Sequence, residues 1–265
     1  MDVLSRNNGV TTITSDRGFT KSFAPGRVFL PDEYPEVLQK FLQGPNVVVI
    51  GLTGYSSIKS EHCARWGIKP GAYEYAVHSM LTNLVNELRT AYPGIDIRFV
   101  HGASDMGVDK EVIAVGEELG VPQLGFSCPE FLSYVDNENH DFPIYVGADQ
   151  ADYSDKFIQA LDILVAANGR KQAFIHDMSA ALSHAKYIVP INIVQAISST
   201  GGPAAINEDG TIEDATELFY QRVVYLAIQF GIAGQDVWAE LNQKLTQAIK
   251  AITRKILPAN AAFPI

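Results

Sequence analysis

Three short stretches of this 265-residue chain combine glycine with hydroxyl, cationic or acidic residues, the types that bind phosphorylated sugars and act on them. The first is Gly51-Leu52-Thr53-Gly54-Tyr55-Ser56-Ser57. Glycines at 51 and 54 let a ligand approach the backbone, and Thr53, Ser56 and Ser57 offer hydroxyl donors. It reads either as a phosphate or ribose cradle or as an ordinary strand-to-helix turn, because neither GxGxxG nor a Walker lysine accompanies it. The second, His101-Gly102-Ala103-Ser104-Asp105-Met106-Gly107-Val108-Asp109, is the most informative stretch of the chain. His101 can donate to a ligand or hold the neighbouring loop, the second being commoner for a lone histidine. Asp109, one helical turn beyond Asp105, fits capping or bracing its own loop better than touching substrate. The third is Asn168-Gly169-Arg170-Lys171, followed by Asp177. Adjacent cations just after a strand end hold phosphate well, and equally begin a solvated helix. Asp177 flanks the apolar stripe of Phe174, Met178 and Ala181, so it faces either a cleft or the surface. In a cleft its carboxylate can stabilise a ribosyl oxocarbenium ion or activate water.

Other chemistries lack their residues. His62-Cys63, His140 and His176 have no metal-ligand spacing, HExxH is absent, and the serine elbow GxSxG is missing. No metal and no resident cofactor is called for. Cys63 and Cys128 are the only cysteines and form no CxxC, which fits a reducing compartment better than a disulfide framework.

The elements that must carry these stretches follow from hydrophobic period. Val47 to Ile50 is a run of branched apolar residues suited to a strand buried on both faces. Tyr73, Val77, Met80 or Leu81, Leu84 and Leu88 then recur at helical spacing until Pro93-Gly94. A second strand spans Ile95 to Val100, and Val108, Val112, Val115 and Leu119 mark a second helix that Gly120 ends. Val121 to Phe126 predicts a third strand. Residues 127–153 read as a long irregular flap, with Ser154 capping a short helix behind it. Ile163 to Ala166, a helix through Phe174, Met178, Ala181, Leu182 and Ala185, and a strand from Tyr187 to Val194 continue the alternation. Such alternation predicts an α/β fold, a Rossmann-like doubly wound and mostly parallel sheet with helices on both faces. Residues 1–45 read as an extension closed by a short helix at Val37, Leu38, Phe41 and Leu42. Residues 46–265 read as one domain that includes two carboxy-terminal helices within 212–257.

Composition narrows the partners. With 47% hydrophobic and 19% charged residues the chain can bury a core and lacks the signature of disorder. Its formal charge of −10 repels phosphate backbones, which disfavours nucleic acid. No stretch approaches a membrane span and the amino terminus holds no signal-like apolar run, so a cytoplasmic protein off the membrane is expected.

The loop "HGASDMGVD" after a strand, followed by an amphipathic helix and Gly120-Val121-Pro122, resembles the "GGA-x-G-x-D" loop of the SLOG superfamily. That superfamily includes the LOG-type nucleotide phosphoribohydrolases, the Rossmann-like domain of DNA-processing protein A, and sensors of nucleotide-derived signals. "GLTGYSS" is similar to its first loop. "ALDILVAANGRKQAFIHDMSAALSHAKYIVPI" is similar to its later strand, glycine turn, acidic helix residue and returning strand. The resemblance covers about residues 46–195. Where LOG hydrolases carry PGGxGTxxE, this chain has Asn168-Gly169-Arg170-Lys171-Gln172-Ala173, and Asp177 is nearest the acidic position. The resemblance implies a nucleotide-type ligand held by Gly51, Thr53, Gly54, Ser56, His101, Gly102, Ala103, Ser104, Gly107, Asp109, Gly169 and Lys171. It implies either hydrolysis of an N-glycosidic bond, with Arg170 on phosphate and Asp177 assisting cleavage, or a non-catalytic sensor or sequestering protein. It also implies a homodimer formed through helices.

Overall fold

The computed structural model describes residues 3–135, 140, 142–169, 176–177, 180–181, 183–184, 186–190, 193–198, 205–206 and 212–213. Strand β1, Val3–Asn7, turns at Asn8 and Gly9 into β2, Val10–Thr14. Both turn residues have positive φ, 49° and 82°, the backbone of a two-residue turn that matches strand twist. With β3, Thr20–Phe23, they form a three-stranded antiparallel sheet. Strand β4, Val28–Phe29, and helix α1, Tyr34–Phe41, lead into the main body.

There follow β5 (Val47–Gly54), α2 (Ser60–Trp66), α3 (Ala72–Ala91), β6 (Asp96–His101), α4 (Gly107–Glu118), β7 (Gln123–Ser127), β8 (Ile144–Val146), α5 (Gln150–Ala160), β9 (Ile163–Ala167), β10 (Tyr187–Pro190) and α6 (Ile193–Ile197). The main sheet has the order β10-β9-β5-β6-β7-β8-β4, and every adjacent pair is parallel. This is a Rossmann-like α/β fold. From β5 the chain winds outward through β6 and β7, then returns to lay β9 and β10 on the other side of β5. The order therefore reverses between β5 and β9, where the connections leave toward opposite faces, the position at which sheets of this kind take up ligands in a crevice beyond the strand ends.

Each face is covered by helices whose apolar residues have the period the sequence shows. On one face Tyr73, Val77, Leu81 and Val85 of α3 and Val108, Val112 and Val115 of α4 pack on Val48, Ile50 and Leu52. Leu81 is fully buried, so truncating it to Ala should cost about 2–5 kcal/mol. On the other face Phe157 and Ile158 of α5 and Tyr34 of α1 pack on Val49, Val100 and Phe126.

Several expectations are corrected. The extension 1–45 is structured: β4 pairs with β8 inside the main sheet, and Ile13 and Phe23 belong to a core cluster with Ala103, Leu132 and Val135. The segment 127–153 is not one irregular flap. It holds a 3-10 turn at Pro129–Tyr134, strand β8 and the start of α5. Asp149 rather than Ser154 caps α5, accepting from the Asp152 N–H at 2.9 Å, and Ser154 lies buried within the helix. Val194 lies in α6 and not in the preceding strand. Ile212–Glu213 pairs antiparallel with Ala205–Ile206, and the residues expected to carry the two carboxy-terminal helices, from Leu218 onward, lie outside the described residues.

Candidate functional site

The crevice starts at the last register pair of the two central strands, Gly54 beside Ala167. Here α3 sends one polar atom into the sheet. The buried Tyr73 hydroxyl accepts from the Tyr55 N–H at 3.1 Å and donates to the Ala167 carbonyl. Gly54 is glycine for want of space, since a Cβ there would stand 2.4 Å from Val108 Cγ1 and 2.6 Å from the Tyr73 oxygen. One residue earlier, the Thr53 hydroxyl donates to Asp177 Oδ2 at 2.5 Å. Asp177 belongs to the helical residues after β9, so this bond joins the two elements that diverge at the crevice. The neighbouring His176 has Nδ1 at 3.7 Å from Asp177 Oδ1, and the nearness of that carboxylate raises its pKa.

The second loop is tied down from several directions. The Gly102 N–H donates to Asp109 Oδ1 at 2.8 Å, and the Ala103 N–H donates to His101 Nδ1 at 3.1 Å. His101 is fully buried, edge-on to Phe142 with ring centres 4.6 Å apart, and burial lowers its pKa to about 3. It is therefore a neutral loop-holding imidazole, its Nδ1 an acceptor. Ala103 takes a left-handed φ of 53°, a conformation that costs a non-glycine residue about 1 kcal/mol. Ser104 forms an antiparallel bridge with Val135, and the Asp105 N–H donates to the Tyr134 carbonyl. Lys21 of β3 donates to the Val135 carbonyl, so the amino-terminal sheet supports the segment that covers this loop.

Asp109 is partly buried and keeps some solvent access. Desolvation pushes its pKa up to about 7, helped by the charge of Asp177 and opposed by the Gly102 N–H. Tyr153 of α5 has its pKa raised by burial first, then by Asp109, Asp177 and Cys128. Its ring meets Phe131 edge-on at 5.9 Å. Thr53, Asp109, Tyr153 and Asp177 thus converge at the carboxyl edge of the sheet.

The remaining sequence-predicted positions fall as follows. Gly51 stands inside β5 rather than in a loop, where a Cβ would meet Leu161 Cδ2 at 2.8 Å and Val100 Cγ2 at 3.0 Å. Ser56 is exposed beyond the strand. Gly107 opens α4 at φ 54°, and a Cβ there would stand 2.1 Å from the Tyr55 carbonyl oxygen, which the Val108 N–H reaches at 3.1 Å. Gly169 is buried. Asn168, at φ 65°, turns its side chain away to accept the Val194 N–H. Arg170 and Lys171 lie outside the described residues, as do Phe174 and Met178. Sequence reasoning missed Tyr73 and Tyr153. The first sits in a helical apolar stripe and reads as core, and the second lies in the stretch read as a flap; a capping Asp149 three residues before Asp152 was the available signal for α5.

Among the described residues no group of three His, Cys, Asp or Glu could hold a metal ion, and no helix is long and apolar enough to cross a membrane. A cavity of about 60 Å³ lies between the segment that follows β5 and the start of α3, lined by Ile58, Cys63, Tyr73 and Glu74.

No protein-family model matches the chain, and no curated protein matches it in sequence. Among solved structures it is similar to the molybdenum cofactor binding protein from the phototrophic bacterium Rippkaea orientalis, with a TM-score of 0.40 and 11% identity. The match covers 68% of this chain and 98% of that one.

Proposed function

We propose that the crevice between β5 and β9 binds a nucleotide or nucleotide-derived ligand and hydrolyses its N-glycosidic bond, in keeping with the resemblance to the SLOG superfamily. The observation that carries this reading is a pair of carboxyl groups whose charges interact, Asp177 fixed by Thr53 and Asp109 held by the Gly102 N–H with its pKa pushed up to about 7 by burial. A carboxyl that keeps its proton near pH 7 can serve as a general acid while a second carboxyl serves as the base. Asp177, in this reading, takes a proton from water as its oxygen bonds to the ribosyl carbon. The carbon–nitrogen bond breaks with its electron pair going to the base, and Asp109 gives that nitrogen its proton. Arg170 and Lys171 are assigned the phosphate. Thr53, Gly54, Ser56, Gly102 and Gly169 border the ligand, while Gly51, His101, Ala103, Ser104 and Gly107 shape the loops.

A second reading keeps the ligand and drops the chemistry. It is favoured by the fact that Asp109 and Asp177 both already accept internal hydrogen bonds. Incubation of the purified protein with a pool of nucleoside monophosphates, ADP-ribose and cyclic nucleotides, followed by mass spectrometry, separates the two. Free base released by the wild type and lost in Asp177→Asn supports the hydrolase. Depletion of one species into the protein fraction without product supports the sensor. Neither change overturns both readings.

A further inference from the structure

The position of the Tyr73 hydroxyl carries a consequence for the geometry of the crevice. In a parallel ladder the bond after the Gly54–Ala167 pair runs from the Tyr55 N–H to the Ala167 carbonyl. Both of those groups meet at the Tyr73 oxygen, one giving it a proton and the other receiving one. The hydroxyl thus occupies the rung, and Gly54 leaves it the room. The same ring packs edge-on to Tyr55 with centres 5.5 Å apart, so the oxygen is held against sliding out of the sheet. One residue back along β5 is Thr53, whose hydroxyl reaches Asp177.

We propose that Tyr73 is a positioning residue for this crevice: its hydroxyl, set into the last rung between β5 and β9, fixes where the strands part and so keeps Thr53 in register with Asp177. A phenylalanine retains the ring and the packing but removes the oxygen. The freed N–H and carbonyl are buried and must find partners, and the nearest are each other. The strand ends would then draw together and Thr53 would turn off Asp177. The affinity arm of the test rests on the ligand reading given above; the geometric arm does not.

Crystal structures of the wild type and Tyr73→Phe decide the geometric arm. The expected result is a direct Tyr55–Ala167 hydrogen bond and a broken Thr53–Asp177 contact in the variant. Strand ends that stay apart with Thr53 still on Asp177 overturn the proposal. Should the variant not fold, nuclear Overhauser contacts in the wild type between a slowly exchanging Tyr73 hydroxyl proton and the Tyr55 amide take its place, and their absence overturns it equally. For the affinity arm ADP-ribose is titrated into both proteins. A misplaced site group should weaken binding by about tenfold or more. Equal affinity in the two counts against the positioning role, whereas no binding to either protein defeats the ligand reading and leaves the crystallographic result to stand.

Discussion

Asp109 lies so close over Gly102 that a Cβ on that glycine would come within 2.5 Å of Oδ2 and 3.2 Å of Oδ1. The N–H beneath donates to Oδ1 at 2.8 Å, so the first turn of α4 and the loop after β6 are joined at one point. The bond braces the loop rather than capping α4, and it places the carboxyl where desolvation alters its chemistry. Gly102→Ala should therefore displace Asp109 and lose the bond, at a cost of about 1–3 kcal/mol for forced repacking. Urea unfolding measures it. A loss below a few tenths of a kcal/mol would mean that the loop yields without moving the helix.

The pH dependence of stability follows from the same carboxyl. Asp109 has its folded pKa raised from 3.8 to about 7, so the folded state keeps a proton that the unfolded state gives up across that range. Its stabilising share is complete below the unfolded pKa and is lost as pH rises through about 7. His101 works in the other sense. Its folded pKa is lowered from 6.5 to about 3, so its share is present above the unfolded pKa and is lost as pH falls toward the folded one. The two offset each other between about pH 4 and 6.5. Replacing Asp109 by Asn removes one side, so the variant should gain stability relative to wild type as pH rises from 4 to 7, by at most about 1.4 kcal/mol per pH unit. Parallel stability curves for the two proteins would contradict the shift.

Much of the fold was legible because long periodic segments state their own environment. Val47 to Ile50 has no polar face, and the strand is buried on both sides. Tyr73, Val77 and Leu81 mark the buried side of α3. The amino-terminal sheet was less visible because its strands are short, threonine-rich and half exposed, although Asn8-Gly9 is a hairpin signal. Strand β8 spans only Ile144–Val146, too few residues to show a period. At the site, Thr53, Asp109 and Asp177 stood out by type and spacing. Tyr73 did not, because hydrophobic spacing records where a ring goes and is silent about the hydroxyl at its end.

Removing residues 1–45 tests whether they are an appendage. Deletion strips Val28 and Phe29 from beside β8 and Tyr34 from its contacts with Phe126 and Tyr145, at ring distances of 6.4 and 5.0 Å. It also removes Phe23 and Ile13 from the cluster under Leu132 and Val135. Each lost large apolar contact costs about 1.5–3 kcal/mol, against a typical total of 5–15 kcal/mol. The chain beginning at residue 46 should accordingly be insoluble or unfold cooperatively only at much reduced temperature. A calorimetric transition matching that of the full chain would show that the two parts are separate.

The Thr53–Asp177 bond supplies the most direct link between stability and ligand. Valine is close to threonine in shape, so Thr53→Val removes the donor while leaving β5 packed. A hydrogen bond to a charged acceptor contributes about 1.5–3 kcal/mol, and the part of Asp177 still open to solvent moves the expected loss toward the lower end. Asp177→Asn keeps an acceptor oxygen for Thr53 and should lose less. If Asp177 serves the ligand through its charge, the order reverses in function: Asp177→Asn should depress turnover or ADP-ribose binding more than Thr53→Val does. Chemical denaturation and calorimetric titration of both variants give the two orders. Identical ranking in stability and in binding would reduce Asp177 to a structural acceptor and remove it from the site.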